Sequence, residues 1–175
     1  GYVLNTSSKE VEFVYEGQDT PVITENAEFT NDRQKVSITV EKQDAENGAV
    51  VAGAEFGLYN AEDIVSGDKT LVTADTLLET VTSDERGRAA FTLDLPLGKY
   101  YVKELAAPDG FVSSDEILTF DASYQGQDIP VVKLESVKKN EPTTVEITKS
   151  DITTGVELSG ASLSVIDKDG NTVDS

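Results

Sequence analysis

The sequence contains no cysteine, histidine, methionine or tryptophan. It therefore lacks the side chains that hold most zinc, copper and iron centres, and the base or nucleophile of Ser-His-Asp and Cys-His chemistry. Most enzyme classes are excluded on that ground, and neither a metal nor a cofactor is expected. A disulfide framework is excluded as well, so an exported chain of this composition needs another kind of staple or none. Basic residues are scarce: 14 Lys and Arg stand against 33 Asp and Glu, for a formal net charge of −19 with no basic run. Such a chain repels phosphate backbones and anionic lipid headgroups, so nucleic acid and direct membrane binding are not expected. No apolar stretch approaches the ~20 residues of a membrane span, and no signal peptide is visible. With no methionine to start from, the 175 residues are expected to be a piece of a longer chain.

Apolar residues make up 38% of the sequence, enough for one full-sized core and pieces of others. An internal repeat organises them. Gly1-Tyr2-Val3 and Gly110-Phe111-Val112 open two stretches that align without a gap. Each passes through Tyr15-Glu16-Gly17-Gln18-Asp19 or Tyr124-Gln125-Gly126-Gln127-Asp128, then Pro21-Val22 or Pro130-Val131, and reaches Asn31 or Asn140 at a constant offset of 109 residues. After a two-residue slip, Lys42-Gln43-Asp44 matches Lys149-Ser150-Asp151, Gly48 matches Gly155 and Gly53-Ala54 matches Gly160-Ala161, all at an offset of 107. Similarity at a fixed period is the mark of a tandem array. The expected organisation is the end of one repeat (1–35), a complete repeat (36–142) and the beginning of a third (143–175).

The complete repeat reads as all-β. Val36-Ser37-Ile38-Thr39-Val40-Glu41 and Leu93-Asp94-Leu95 alternate apolar and polar residues, and no segment carries a helical period. Ser83-Asp84-Glu85-Arg86-Gly87 and Leu97-Gly98-Lys99 read as turns, and Asp169-Gly170 between Val165-Ile166 and Thr172-Val173 is a hairpin signal. The spacing predicts a compact antiparallel sandwich of roughly seven short strands per repeat.

Three polar residues stand out against this pattern. Lys42 shares the parity of Val36, Ile38 and Val40, which aims an amine at the core. Glu104 shares the parity of Tyr100 and Val102. Asn140 shares that of Val132 and Leu134, but so does Lys138, which makes the alternation of this segment irregular to the eye. Parity alone is equally compatible with an ordinary Lys42–Glu104 ion pair and an Asn140 that caps a turn.

These residues also carry a resemblance. Lys42-Gln43-Asp44 followed by Gly53-Ala54-Glu55-Phe56-Gly57-Leu58-Tyr59 resembles the opening of the Cna B-type or SpaA-type prealbumin-like domains of Gram-positive pilins and surface adhesins. Tyr100-Tyr101-Val102-Lys103-Glu104-Leu105-Ala106-Ala107-Pro108-Asp109-Gly110-Phe111 resembles their E-box. The resemblance implies an Ig-like, prealbumin/transthyretin-like β-sandwich. It also implies a spontaneous amide between a first-strand lysine and a last-strand asparagine, assisted by the E-box glutamate. Carried over, these are Lys42, Asn140 and Glu104, with Asn31 and Lys149 as the equivalents left without partners in the partial repeats. Elementary chemistry agrees: a lysine attacks an amide carbon only when uncharged, and burial favours that form. The reaction is single-turnover, so no enzyme is implied.

The expected function is thus a structural stalk or shaft repeat of a cell-surface adhesin or pilin, extracellular and attached to the cell wall or built into a pilus. Its partners would be the neighbouring repeats of the same chain. The alternative is a module that binds host matrix protein or glycan, with Tyr and Phe as its only aromatic platforms. Two other motifs are weak. Asp167-Lys168-Asp169-Gly170-Asn171 has part of a calcium-loop pattern but not its later acidic ligand, so a hairpin is favoured. Ser66-Gly67-Asp68-Lys69-Thr70 has Asp63 and Asp68 where a phosphate loop needs glycines.

Overall fold

Alternation decides the strands. Val36, Ile38 and Val40 are all buried, as a period-two pattern requires where one sheet face meets a core. The computed structural model describes residues 1–166 and 169–174, and these hold no helix. Up to Asn140 the elements are β1 (Lys35–Asp44), β2 (Glu55–Asn60), β3 (Ile64–Ser66), β4 (Lys69–Val72), β5 (Leu77–Thr82), β6 (Arg88–Ala90), β7 (Gly98–Ala106), β8 (Leu118–Ala122) and β9 (Val131–Asn140).

Seven of these form two sheets, ordered β6-β1-β9 and β5-β2-β7-β8, while β3 and β4 make a separate hairpin. The Ser66-Gly67-Asp68 segment is the tip of that hairpin, with Gly67 at φ 58. Ile38 and Val40 from the first sheet cluster with Phe56, Leu58, Tyr100 and Val102 from the second, and all are essentially inaccessible. Each such side chain contributes about 1.5–3 kcal/mol of burial. The fold is the all-β sandwich that the sequence predicts. Its pairings are antiparallel with one exception: β1 and β9 run parallel, in unbroken register from Lys35↔Val131 to Asp44↔Asn140.

Leu93-Asp94-Leu95 is not a strand. Leu95 makes a single bridge to Val36, and Leu93 is exposed. The Arg33 guanidinium donates to the Leu95 and Asp94 carbonyls at 2.8 and 3.0 Å, and Pro96 has no N–H to continue a ladder.

Contacts divide the chain into Gly1–Pro142 and Thr143–Ser175. Within the first unit, one bonding pattern occurs twice. Phe111 bridges Pro142 and the Val112 N–H donates to the Glu141 carbonyl at 2.9 Å; Tyr2 bridges Arg33 and the Val3 N–H donates to the Asp32 carbonyl at 2.8 Å. The Ile129 N–H to Gly126 carbonyl turn likewise has its match in Thr20 and Gly17.

In the second unit, β10 (Val165–Ile166) pairs antiparallel with β11 (Thr172–Asp174), which is the hairpin expected around Asp169-Gly170. Asp167 and Lys168 of the calcium-loop pattern lie outside the described residues.

Candidate functional site

Lys42 lies near the end of β1 with its side chain fully buried (0% exposed). The turn between β5 and β6 presses on its backbone. Asp84 Oδ1 accepts from the Arg86 and Arg88 N–H groups, which puts Gly87 at φ 71, and the Gly87 carbonyl accepts from the Lys42 N–H at 2.7 Å. A Cβ on Gly87 would stand 2.7 Å from the Lys42 carbonyl oxygen, so only glycine fits there. The Lys42 ammonium position is apolar on one side, with Nζ 5.2 Å from the centre of the Phe111 ring. Among the described residues, its only hydrogen-bond acceptor is the Gln43 carbonyl at 3.2 Å. Desolvation pulls Lys42 below the ordinary lysine value, partly offset by Glu104; Lys138 pulls the same way as burial and Asp44 opposes it.

Glu104 projects from β7, where the register places it opposite Phe56 of β2. Its Oε2 accepts from the Asn140 Nδ2 at 2.7 Å and from the Ser114 N–H at 3.1 Å. Asn140, at the end of β9, is buried at 2% exposure, and its backbone carbonyl accepts from the Ala45 N–H. The structure thus gathers Lys42, Glu104 and Asn140 at one end of the parallel β1–β9 pair. It forms neither the Lys42–Glu104 contact ion pair nor the turn cap that parity alone left open. Among the described residues, two buried side-chain atoms have no hydrogen-bond partner: Glu104 Oε1 and Asn140 Oδ1. A half-turn of the amide exchanges its nitrogen and oxygen. The 2.7 Å contact can therefore serve a carboxylate accepting from nitrogen or a carboxylic acid donating to oxygen. A cleft lined by Ala45, Val112, Ser114 and Asn140 opens beside this cluster.

Lys138 does not break the alternation of β9; it follows it. Val132, Lys138 and Asn140 are all buried, while Lys133, Glu135, Val137 and Lys139 are exposed. Lys138 stands opposite Lys42 in the register, and its Nζ donates to Ser114 Oγ at 2.9 Å, the Glu116 carbonyl at 3.0 Å and Glu116 Oε2 at 3.1 Å. Shared parity with Val132 was the one signal that could have revealed this second inward lysine. Nothing in the irregular segment after Phe111 marks Ser114 or Glu116 in advance. Asn31 and Lys149 are both exposed.

The class of protein is defined by a two-sheet sandwich with a buried lysine, a buried asparagine and a half-buried glutamate at one end. Residues 36–136 match the SpaA family, a prealbumin-like fold domain, and the chain belongs to that family. Among solved structures it is similar to the Bacillus anthracis TIE protein (24% identity, TM-score 0.53, covering 82% of this chain and 24% of that one). It is also similar to the group B streptococcus pilus 2b backbone protein (21% identity, TM-score 0.50, 74% and 47%). A third is the major pilin SpaD from Corynebacterium diphtheriae (23% identity, TM-score 0.50, 68% and 33%). These likenesses speak to the fold, and the chain spans less than half the length of each. No curated protein matches it in sequence.

Proposed function

We propose that the chain is a load-bearing shaft segment of a Gram-positive surface protein, extracellular, stapled by a self-formed amide between Lys42 and Asn140. The observation that carries this reading is the set of unmet partners around Glu104. A buried amine with one acceptor, a carboxylate oxygen with no donor and an amide oxygen with no donor occur together. In the proposed reaction the neutral Lys42 Nζ attacks Asn140 Cγ, and the Cγ–Nδ2 bond breaks. Glu104 relays a proton from the attacking to the leaving nitrogen, and ammonia departs. No redox change is involved and the residues are consumed once, so the domain is not a turnover enzyme.

The parallel pairing of β1 and β9 gives the bond its mechanical sense. Tension entering at Lys35 would run down β1 to Lys42, cross to Asn140 and leave at Pro142, bypassing the rest of the sandwich. Similarity in fold to two pilins supports the shaft reading, with further copies of such subunits or repeats as partners. The recurring hydrogen bonds at Tyr2–Arg33 and Phe111–Pro142 support reading 1–35 and 36–142 as successive repeats, with 143–175 opening a third.

The test is the intact mass of the 175-residue chain under denaturing conditions. One ammonia fewer than the sequence requires, with full mass restored by Glu104→Gln and by Lys42→Ala, is the expected result. Full mass in the unmodified chain would overturn the covalent reading and leave a non-covalent sandwich.

A further inference from the structure

A buried cation is out of place in a sandwich core. An apolar residue of similar size would stabilise it as well or better. Lys138 is nonetheless 1% exposed, and its three donors meet three acceptors: Ser114 Oγ, the Glu116 carbonyl and Glu116 Oε2. Lys42, directly opposite, has one. Of the two facing amines only Lys138 is held by a carboxylate, and a cation at that place makes a proton on Lys42 unfavourable.

The internal repeat does not carry this arrangement in its sequence. At the 109-residue offset the counterparts of Ser114, Glu116 and Lys138 are Asn5, Ser7 and Phe29. The lysine, its carboxylate and its hydroxyl change together, and what replaces the lysine is apolar. Ser114 also ties the two halves of the site, because its hydroxyl accepts from Lys138 while its N–H donates to Glu104 Oε2.

We propose that Lys138 is a positioning residue for the Lys42–Asn140 reaction: a fixed buried cation, anchored by Glu116, that holds Lys42 in its neutral, nucleophilic form across the strand pair. The inference rests on the amide reading above. The charged groups facing Lys42 are Glu104 from β7, Asp44 from its own strand and Lys138 from β9, and only Lys138 works with burial rather than against it.

Two measurements decide it. In an Asn140→Ala background, where no amide can form, the Lys42 side chain is titrated by NMR with and without Lys138→Gln, which keeps donors but loses the charge. The expected result is a Lys42 midpoint higher by about one pH unit, or about tenfold less neutral amine at a given lower pH. Lys138→Arg should leave the midpoint in place. An unmoved midpoint in a folded Lys138→Gln chain overturns the proposal. Should that variant not fold, Lys138→Phe, the residue of the neighbouring repeat, is read in the same way. With Asn140 restored, ammonia loss by Lys138→Gln should be about tenfold slower near neutral pH and recover at high pH. Equal rates at every pH overturn the proposal. A parent chain that never loses ammonia instead overturns the amide reading, while the titration still decides whether Lys138 acts on Lys42.

Discussion

The turn that follows Lys42 and the turn that follows Lys149 are built alike, yet the two lysines end in opposite surroundings. Asp44 Oδ1 accepts from the Glu46 N–H and Asp151 Oδ1 from the Thr153 N–H, at 2.7 and 2.8 Å. The Gly48 N–H donates to the Asp44 carbonyl and the Gly155 N–H to that of Asp151. The Val51 N–H returns to the Lys42 carbonyl and the Leu158 N–H to that of Lys149. Everything that builds the turn lies within about ten residues, so each copy makes it independently. Burial does not copy in this way. Lys42 is enclosed because β6 and β9 flank β1 and β7 supplies Glu104 from the facing sheet; Lys149 is exposed. A lysine in this motif is therefore enclosed by distant strands and not by its own turn.

The strongest way to break the contrast is to remove the proposed bond between Lys42 and Asn140. Under axial tension the unmodified chain should not lengthen through its sandwich. Asn140→Ala should release the segment between residues 42 and 140, about 330 Å of extended chain, in single-molecule force measurements. The same variant should lose about 4–5 kcal/mol of stability in denaturant titrations, the loop-closure entropy of a crosslink of that span. Next in size is Gly87→Ala, which acts on the packing around Lys42. It combines a left-handed backbone with a Cβ 2.7 Å from the Lys42 carbonyl oxygen, and should cost about 2–3 kcal/mol. Its ammonia loss should also be slower, read by mass against time. Smaller again is the paired test of the turns. Asp44→Ala should cost about 1–2 kcal/mol, because it strips acceptors from the Glu46 N–H and the Asn47 Nδ2 beside the sandwich. Asp151→Ala removes the matching bonds and should leave the main unfolding transition where it was.

This contrast also explains what could be read in advance. The faces of β1 and β7 follow from period two, so Lys42 and Glu104 were found on the core side from parity alone. β9 obeys the same rule, but its inward lysine reads as an irregularity, because a lysine is a poor witness for a buried face until its partners are known. Those partners, Ser114 and Glu116, sit in a segment with no periodicity to read. The parallel sense of β1 and β9 was equally hidden: alternation is the same in parallel and antiparallel strands, and the two lie about ninety residues apart. Leu93-Asp94-Leu95 failed for the converse reason, since its alternation was genuine while Pro96 and the Arg33 guanidinium denied it a ladder.

The least effect is expected where the sequence match is best. Lys149 aligns with Lys42 in both residue type and turn, so a motif-based argument would rank the two lysines equally. The surroundings rank them apart, because an exposed lysine lacks the burial that favours the neutral, nucleophilic amine. Lys149→Ala should therefore leave the mass deficit of the chain intact and change stability by less than about 0.5 kcal/mol. Lys42→Ala should abolish the deficit. If instead Lys149→Ala restored the missing ammonia, the reactive amine would lie outside the sandwich, and the claim that burial between β6 and β9 creates the nucleophile would fall with it.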